Sequence, residues 1–113
     1  MADIIHINED EGKKRVMGNG KLYTRLLTKF KTDINLNDFM THAEAEDWQN
    51  AQNAIHTIKG TAANLSLIEL FKQSLEVETL IKDKSLKNES LEKLKACFAE
   101  TLVQVDRVIA KNA

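Results

Sequence analysis

The chain is 113 residues long and 42% apolar, with only 5% aromatic residues, four glycines and no proline. That length holds about one domain, which excludes separate cofactor and substrate lobes, and the scarcity of turn residues excludes an all-β fold of many short strands. Sixteen basic and seventeen acidic side chains leave no field to draw in a nucleic-acid backbone or an anionic bilayer.

From the N-terminus, Asn8 followed by Glu11 has the acceptor and the back-reaching carboxylate of a helix cap, and Gly18, Asn19 and Gly20 supply stop residues, so a short helix ends near Met17. Leu22, Leu26, Leu27, Phe30 and Ile34 recur at helical spacing, and Phe39, Met40 and Ala43 resume it beyond Asn35 and Asn37. This predicts one long helix over about residues 20 to 45, open to a break at the asparagines. Asp47 can cap the next helix, whose positions Ala51, Ile55, Ile58, Ala62 and Leu65 form the clearest apolar stripe in the chain. Ser66 with Glu69 reads as a capping box, opening a helix through Ile68, Phe71, Leu75 and Leu80 to about Lys82. A polar connector, Asp83 to Glu89, precedes a last amphipathic helix carrying Leu91, Leu94, Phe98, Leu102, Val105 and Ile109.

The expected fold is therefore all-α: an antiparallel up-down four-helix bundle with a short additional N-terminal helix, forming a single domain over residues 1–113. Apolar runs are too short to span a bilayer and the N-terminus lacks a signal-peptide pattern, so the expected location is cytoplasmic, with no membrane or nucleic-acid partner. The initiating Met1 and the complete layout favour a free-standing protein. Cys97 stands alone, which suits a reducing compartment and a role as small core filler. Trp48 reads as a packing residue at one end of the bundle, and the spacing in the last helix as an internal core rather than a dimer seam, so a monomer is expected. His6, His42, His56 and Cys97 fall on separate elements without metal-ligand spacing, and no metal site or other cofactor is expected. His6 near the N-terminus and His42 in a polar stretch both read as solvated surface residues.

His56 is different. On a helical wheel it lies roughly 145° from the centre of the stripe around Ile58, so it points outward. Lys59 follows after one turn and Gly60 after four residues. A mid-helix glycine costs about 1 kcal/mol relative to alanine, so close packing or access for another molecule is expected there. An exposed imidazole beside an ammonium and an open lane could accept a phosphoryl group, the ring nitrogen attacking while Lys59 offsets the negative charge. From spacing alone a plain solvated face accounts for the same residues. Glu78 is the second anomaly, because the wheel puts it inside the apolar arc of its helix, where a carboxylate needs a partner. As a boundary residue it can reach water or pair with Lys59, or it can accept from His56 Nδ1 and leave Nε2 as nucleophile, which requires both residues to meet at the groove between their helices.

The run His56-Thr57-Ile58-Lys59-Gly60-Thr61-Ala62-Ala63-Asn64-Leu65 resembles the active-site segment of histidine-containing phosphotransfer (HPt) domains, carriers of multistep phosphorelays. The likeness extends from about Ile7 to Leu80, through Glu11-Gly12, Leu22 to Phe30 and Asp47-Trp48, and the final helix fits by length and pattern. By that resemblance His56 is the phosphorylated residue, Lys59 its electrostatic partner, Gly60 the access glycine and Glu78 the group orienting the imidazole. Gln52, Ala63 and Asn64 complete a shallow docking face. The implied partners are response-regulator receiver domains and a sensor or hybrid histidine kinase. The implied reaction moves a phosphoryl group from a receiver phospho-aspartate to His56 and on to another receiver aspartate, with Mg²⁺ supplied by the receiver. The chain has no P-loop or glycine-rich nucleotide fingerprint, so it is expected to be a carrier without ATP-dependent kinase activity. Ser66 stands where the family motif usually closes with glycine. Read as a helix cap, it predicts that Ser66→Gly costs only a few tenths of a kcal/mol; read as a positive-φ position, it would be strained. A passive helical interaction module, without phosphotransfer, is the rival function.

Overall fold

The computed structural model describes residues 6–112, and their secondary structure is entirely helical. Six helices follow in order: α1 (Glu9–Arg15), α2 (Gly20–Asp33), α3 (Leu36–Glu44), α4 (Trp48–Asn64), α5 (Ile68–Lys82) and α6 (Asn88–Lys111). A chain without proline starts its first four helices with short polar caps. Asn8, Asn19, Asn35 and Asp47 each accept from a backbone N–H of the first turn, of Glu11, Leu22, Asn37 and Asn50 respectively. The stretch over about residues 20 to 45, read as one long helix open to a break, is thus two helices, α2 and α3. Ile34 leaves the helix with extended backbone, and Asn35 caps a new one.

The ends of α1, α3, α4 and α5 share one device. Met17, Glu46, Ser66 and Lys84 all have φ between 57° and 59°. The next residue in each case donates its N–H back to a carbonyl five positions earlier: Gly18 to Lys13, Asp47 to His42, Leu67 to Ala62 and Ser85 to Leu80. This is the left-handed helix closure that favours glycine, here built four times from residues with a side chain. Ser66 is thus the last residue of one helix end, not the cap of the next. The N-cap of α5 is Leu67, and no side chain bonds there, so the expected Ser66–Glu69 capping box is not formed. Ser66 also buries a hydroxyl that has no hydrogen-bond partner among the described residues. The positive-φ reading replaces the capping one, and its prediction changes sign: Ser66→Gly should stabilise the fold by about 1 kcal/mol by relieving left-handed strain. Urea unfolding checks it; a loss of stability would contradict the assignment.

The core is aliphatic, as composition requires, and continuous, running through Leu27, Ile55, Leu67, Leu70, Val77, Leu94 and Val105, with Phe30 and Phe98 in tilted contact at 5.9 Å. Helix α4 packs mainly on α5 and next on α3, while α6 lies against α5 and α2. Cys97 is buried in this core, which pushes its thiol pKa up. The N-terminal elements tie the ends of the bundle together. Tyr23 is fully buried, its hydroxyl donates to the carbonyl of Leu65 at 2.7 Å, and burial, with the nearby Glu9 charge, pushes its pKa up to about 12. Asn8 N–H donates to the carbonyl of Ser66 at 2.9 Å. Glu9 takes Lys13 at 2.7 Å and Lys111 at 3.0 Å, and these cations hold its carboxyl down at about 2.

Three placements depart from the sequence reading or refine it. His6 is buried rather than solvated: its Nδ1 lies 3.1 Å from Thr101 Oγ1, and its backbone N–H donates to Gln104 Oε1 at 2.8 Å. The cause is long-range docking of the N-terminal segment on α6, which local sequence does not reveal. Trp48, 41% exposed, borders a hollow together with Ala43, Leu86 and Leu91. His42 is partly exposed, with the carboxylates of Asp38 and Asp47 at 3.8 and 3.9 Å.

Candidate functional site

The turn between α4 and α5 is only three residues long, so the two helices run back alongside each other. His56 lies ten residues before Ser66 and Glu78 twelve after it, which brings them level. The wheel's outward histidine and inward carboxylate meet at the seam: His56 Nδ1 is 2.9 Å from Glu78 Oε2, and the His56 side chain is 68% exposed against 5% for Glu78. Lys59, one turn along α4, puts Nζ 2.6 Å from the other carboxylate oxygen, Oε1. Both pairings that the sequence left open are present at once. One buried carboxylate is shared between an imidazole and an ammonium.

The charge state of Glu78 settles the tautomer of His56. Burial, the largest single influence, pushes the Glu78 pKa up. Hydrogen bonds from Lys59 and His56, with the charges of Lys59 and Lys82, outweigh it and leave the carboxyl below its ordinary value. At neutral pH Glu78 is therefore ionised, and an ionised carboxylate only accepts. The proton of the 2.9 Å bond sits on His56 Nδ1. In the neutral ring, Nε2 then carries the lone pair, and it has no hydrogen-bond partner among the described residues. An exposed, basic nitrogen with its tautomer fixed from behind is the arrangement of an imidazole nucleophile.

The surroundings of Nε2 are open. Gly60 is exposed, and a Cβ built on it would meet nothing within 4 Å, so packing does not explain this helix-weakening residue. Gln52 and Ala63 are half-buried and Asn64 is exposed, on the α4 turns before and after Gly60. Asn64, with Thr57 and Thr61, also forms one wall of a groove of about 700 Å³ whose other wall is Leu26, Lys29, Phe30 and Asp33 of α2. Sequence reasoning confined the open face to α4 and missed this second wall. The only available signal was Leu26, which looked like one more core position of its stripe. No group of three or more potential metal ligands gathers among the described residues, and no described helix is long and apolar enough to cross a membrane.

These helices present an exposed imidazole at the protein surface, backed by a buried carboxylate. A family model for the Hpt domain matches residues 25–108, from α2 through nearly all of α6. The chain belongs to the Hpt domain family, whose members are phosphocarrier modules of phosphorelays, not kinases, and interact with receiver domains and histidine kinases. The last helix, placed by pattern alone, lies within the match except for its last three residues, whereas α1 lies outside it. Neither the curated proteins nor the solved structures gave a significant match.

Proposed function

We propose that this chain is a phosphorelay intermediate that accepts a phosphoryl group from a receiver phospho-aspartate onto His56 Nε2 and passes it to the aspartate of a second receiver. The observation that carries this reading is the exposed Nε2 backed by the buried Glu78–Lys59 pair. A carboxylate oxygen and Nε2 exchange the phosphoryl group in line: the P–O bond to aspartate breaks as the P–N bond forms, and the reverse step discharges the carrier. Glu78 orients the ring, Lys59 keeps Glu78 ionised and lends positive charge near the phosphate, and Gly60 leaves room for the donor. Gln52, Ala63 and Asn64 form the docking face, with the α2 wall of the groove beside them. Mg²⁺ belongs to the receiver, and ATP is used only by the upstream sensor or hybrid kinase. We read the chain as one cytoplasmic, monomeric domain, its larger helices in up-down order. A passive interaction module would leave the shared buried carboxylate without a purpose.

The test is a three-component relay. Label on a first receiver should reach a second only when this chain is present, and ATP alone should label none of them. Passage without the chain, or none with it, would overturn the reading. Gly60 gives a separate prediction. Gly60→Ala should raise stability by about 1 kcal/mol, since helix propensity improves and nothing is crowded. Gly60→Gln should slow transfer from a receiver while leaving phosphorylation by the small donor phosphoramidate intact. Equal slowing with both donors would remove the access role.

A further inference from the structure

The residue behind the imidazole is a carboxylate, and that choice has a consequence for how long the carrier keeps its phosphate. The consequence holds for a chain that carries phosphate on His56, as proposed above. Once Nε2 carries phosphate, the remaining ring nitrogen, Nδ1, either bears a proton or a lone pair. Discharge breaks the Nε2–P bond, and its electron pair returns to Nε2. From the Nδ1-protonated ring the leaving group is neutral imidazole; from the unprotonated ring it is imidazolate, a far poorer one. An amide at position 78 could donate to a bare Nδ1 and so tolerate the slow form, whereas a carboxylate can only accept. Here Oε2 lies 2.9 Å from Nδ1 in a side chain 5% exposed, and Lys59 holds the other oxygen at 2.6 Å. The charged groups acting on Glu78 are His56 and Lys59 from α4 and Lys82 from its own helix. A bare Nδ1 facing this buried carboxylate would set lone pair against lone pair.

We infer that Glu78, by accepting the Nδ1 proton and never donating one, keeps phosphorylated His56 in its protonated form above neutral pH, making the chain a quickly discharged carrier rather than a phosphate store. In hydrolysis, water oxygen bonds to phosphorus, the Nε2–P bond breaks, and the ring leaves neutral with its proton still on Nδ1, hydrogen-bonded to Glu78. Both protons of the water stay with the phosphate. In transfer, an aspartate oxygen of the receiver takes the place of water.

The experiment labels the full chain with phosphoramidate and follows loss of phosphohistidine against pH, folded and in denaturing urea, for wild type and for Glu78→Gln. In the folded wild type, the fall in hydrolysis rate on the alkaline side should lie about one pH unit higher than in the unfolded chain, a tenfold difference in rate there. Glu78→Gln should move the folded profile back towards the unfolded one and lengthen the label's lifetime at mildly alkaline pH. The wild-type comparison alone decides the matter if the variant does not fold. Coincident folded and unfolded profiles would overturn this inference and leave the carrier reading standing. A folded wild type that takes no phosphate on His56 would overturn both.

Discussion

Gly12→Ala is expected to destabilise the protein by about 3 kcal/mol, the sum of an overpacked core and a displaced buried hydrogen bond. Gly12 is the buried residue of α1, and a Cβ there would sit 2.4 to 2.6 Å from two ring carbons and the hydroxyl oxygen of Tyr23. Those atoms are not the free end of a flexible chain. The ring is fully buried and its hydroxyl is anchored on the Leu65 carbonyl at the end of α4. To admit a methyl group, Tyr23 must move and give up that bond, or α1 must lift from the bundle and take Asn8 away from Ser66. Either route loosens the turn from which α4 and α5 run back to place His56 beside Glu78. Three kcal/mol is a large part of the ~5–15 kcal/mol that stabilises a domain. Urea unfolding measures it, and Tyr23→Leu in the Gly12→Ala background should recover part of the loss. Strict additivity of the two substitutions would show that the clash is not the cause.

Lys59→Met should cost about 2 kcal/mol at neutral pH, because it leaves the Glu78 carboxylate buried with one partner instead of two. Glu78→Gln should cost less. An amide oxygen still accepts from Nδ1, and Lys59, at 20% exposure, can carry its ammonium into water. The pH dependence separates these effects. The Glu78 pKa is lowered in the folded wild type, so its contribution is complete above the unfolded carboxyl value and is lost as pH falls through the folded one. Without Lys59, burial pushes the same carboxyl up, and acid then relieves the variant while it weakens the wild type. The stability gap should narrow from pH 7 towards acid. A gap independent of pH would mean that Lys59 contributes by packing, not by charge.

What the sequence made legible follows from what local patterns encode. The α4 stripe showed which residues of that helix enter the core, and with it the outward direction of His56; the apolar arc of α5 likewise gave the inward direction of Glu78. Asn8 and Asp47 marked two helix starts because each cap acts within three residues, whereas Asn19 read as a stop and Asn35 as an interruption, although both cap helices. A wheel gives azimuth but not the depth of the seam between two helices, so it could not show that Glu78 serves His56 and Lys59 together. Ser66 was misread because a serine three residues before a glutamate has the same spelling whether it caps one helix or closes another by a left-handed turn. The choice depends on the carbonyl that Leu67 reaches, back at Ala62. His6 escaped for a related reason: its partners Thr101 and Gln104 lie more than ninety residues away. The Gly12–Tyr23 contact and the α2 wall of the groove are likewise tertiary, and nothing in the spacing of either helix announces them.

Four left-handed helix ends without glycine at the strained position also bear on how the site is held. Each costs on the order of 1 kcal/mol relative to glycine, yet the one after α4 is pinned from two sides, by Tyr23 and by Asn8. The N-terminal elements therefore support the functional helix pair through its turn. This assigns α1 a structural part even though it lies outside the matched family stretch.

The most direct test of the central claim is transfer from a phosphorylated receiver domain to the wild-type chain and to His56→Gln, both shown to be folded by circular dichroism. The account predicts acid-labile, base-stable phosphate on the wild type and none on the variant. Equal label on the variant, or none on a folded wild type across a panel of receivers from the same genome, would contradict it.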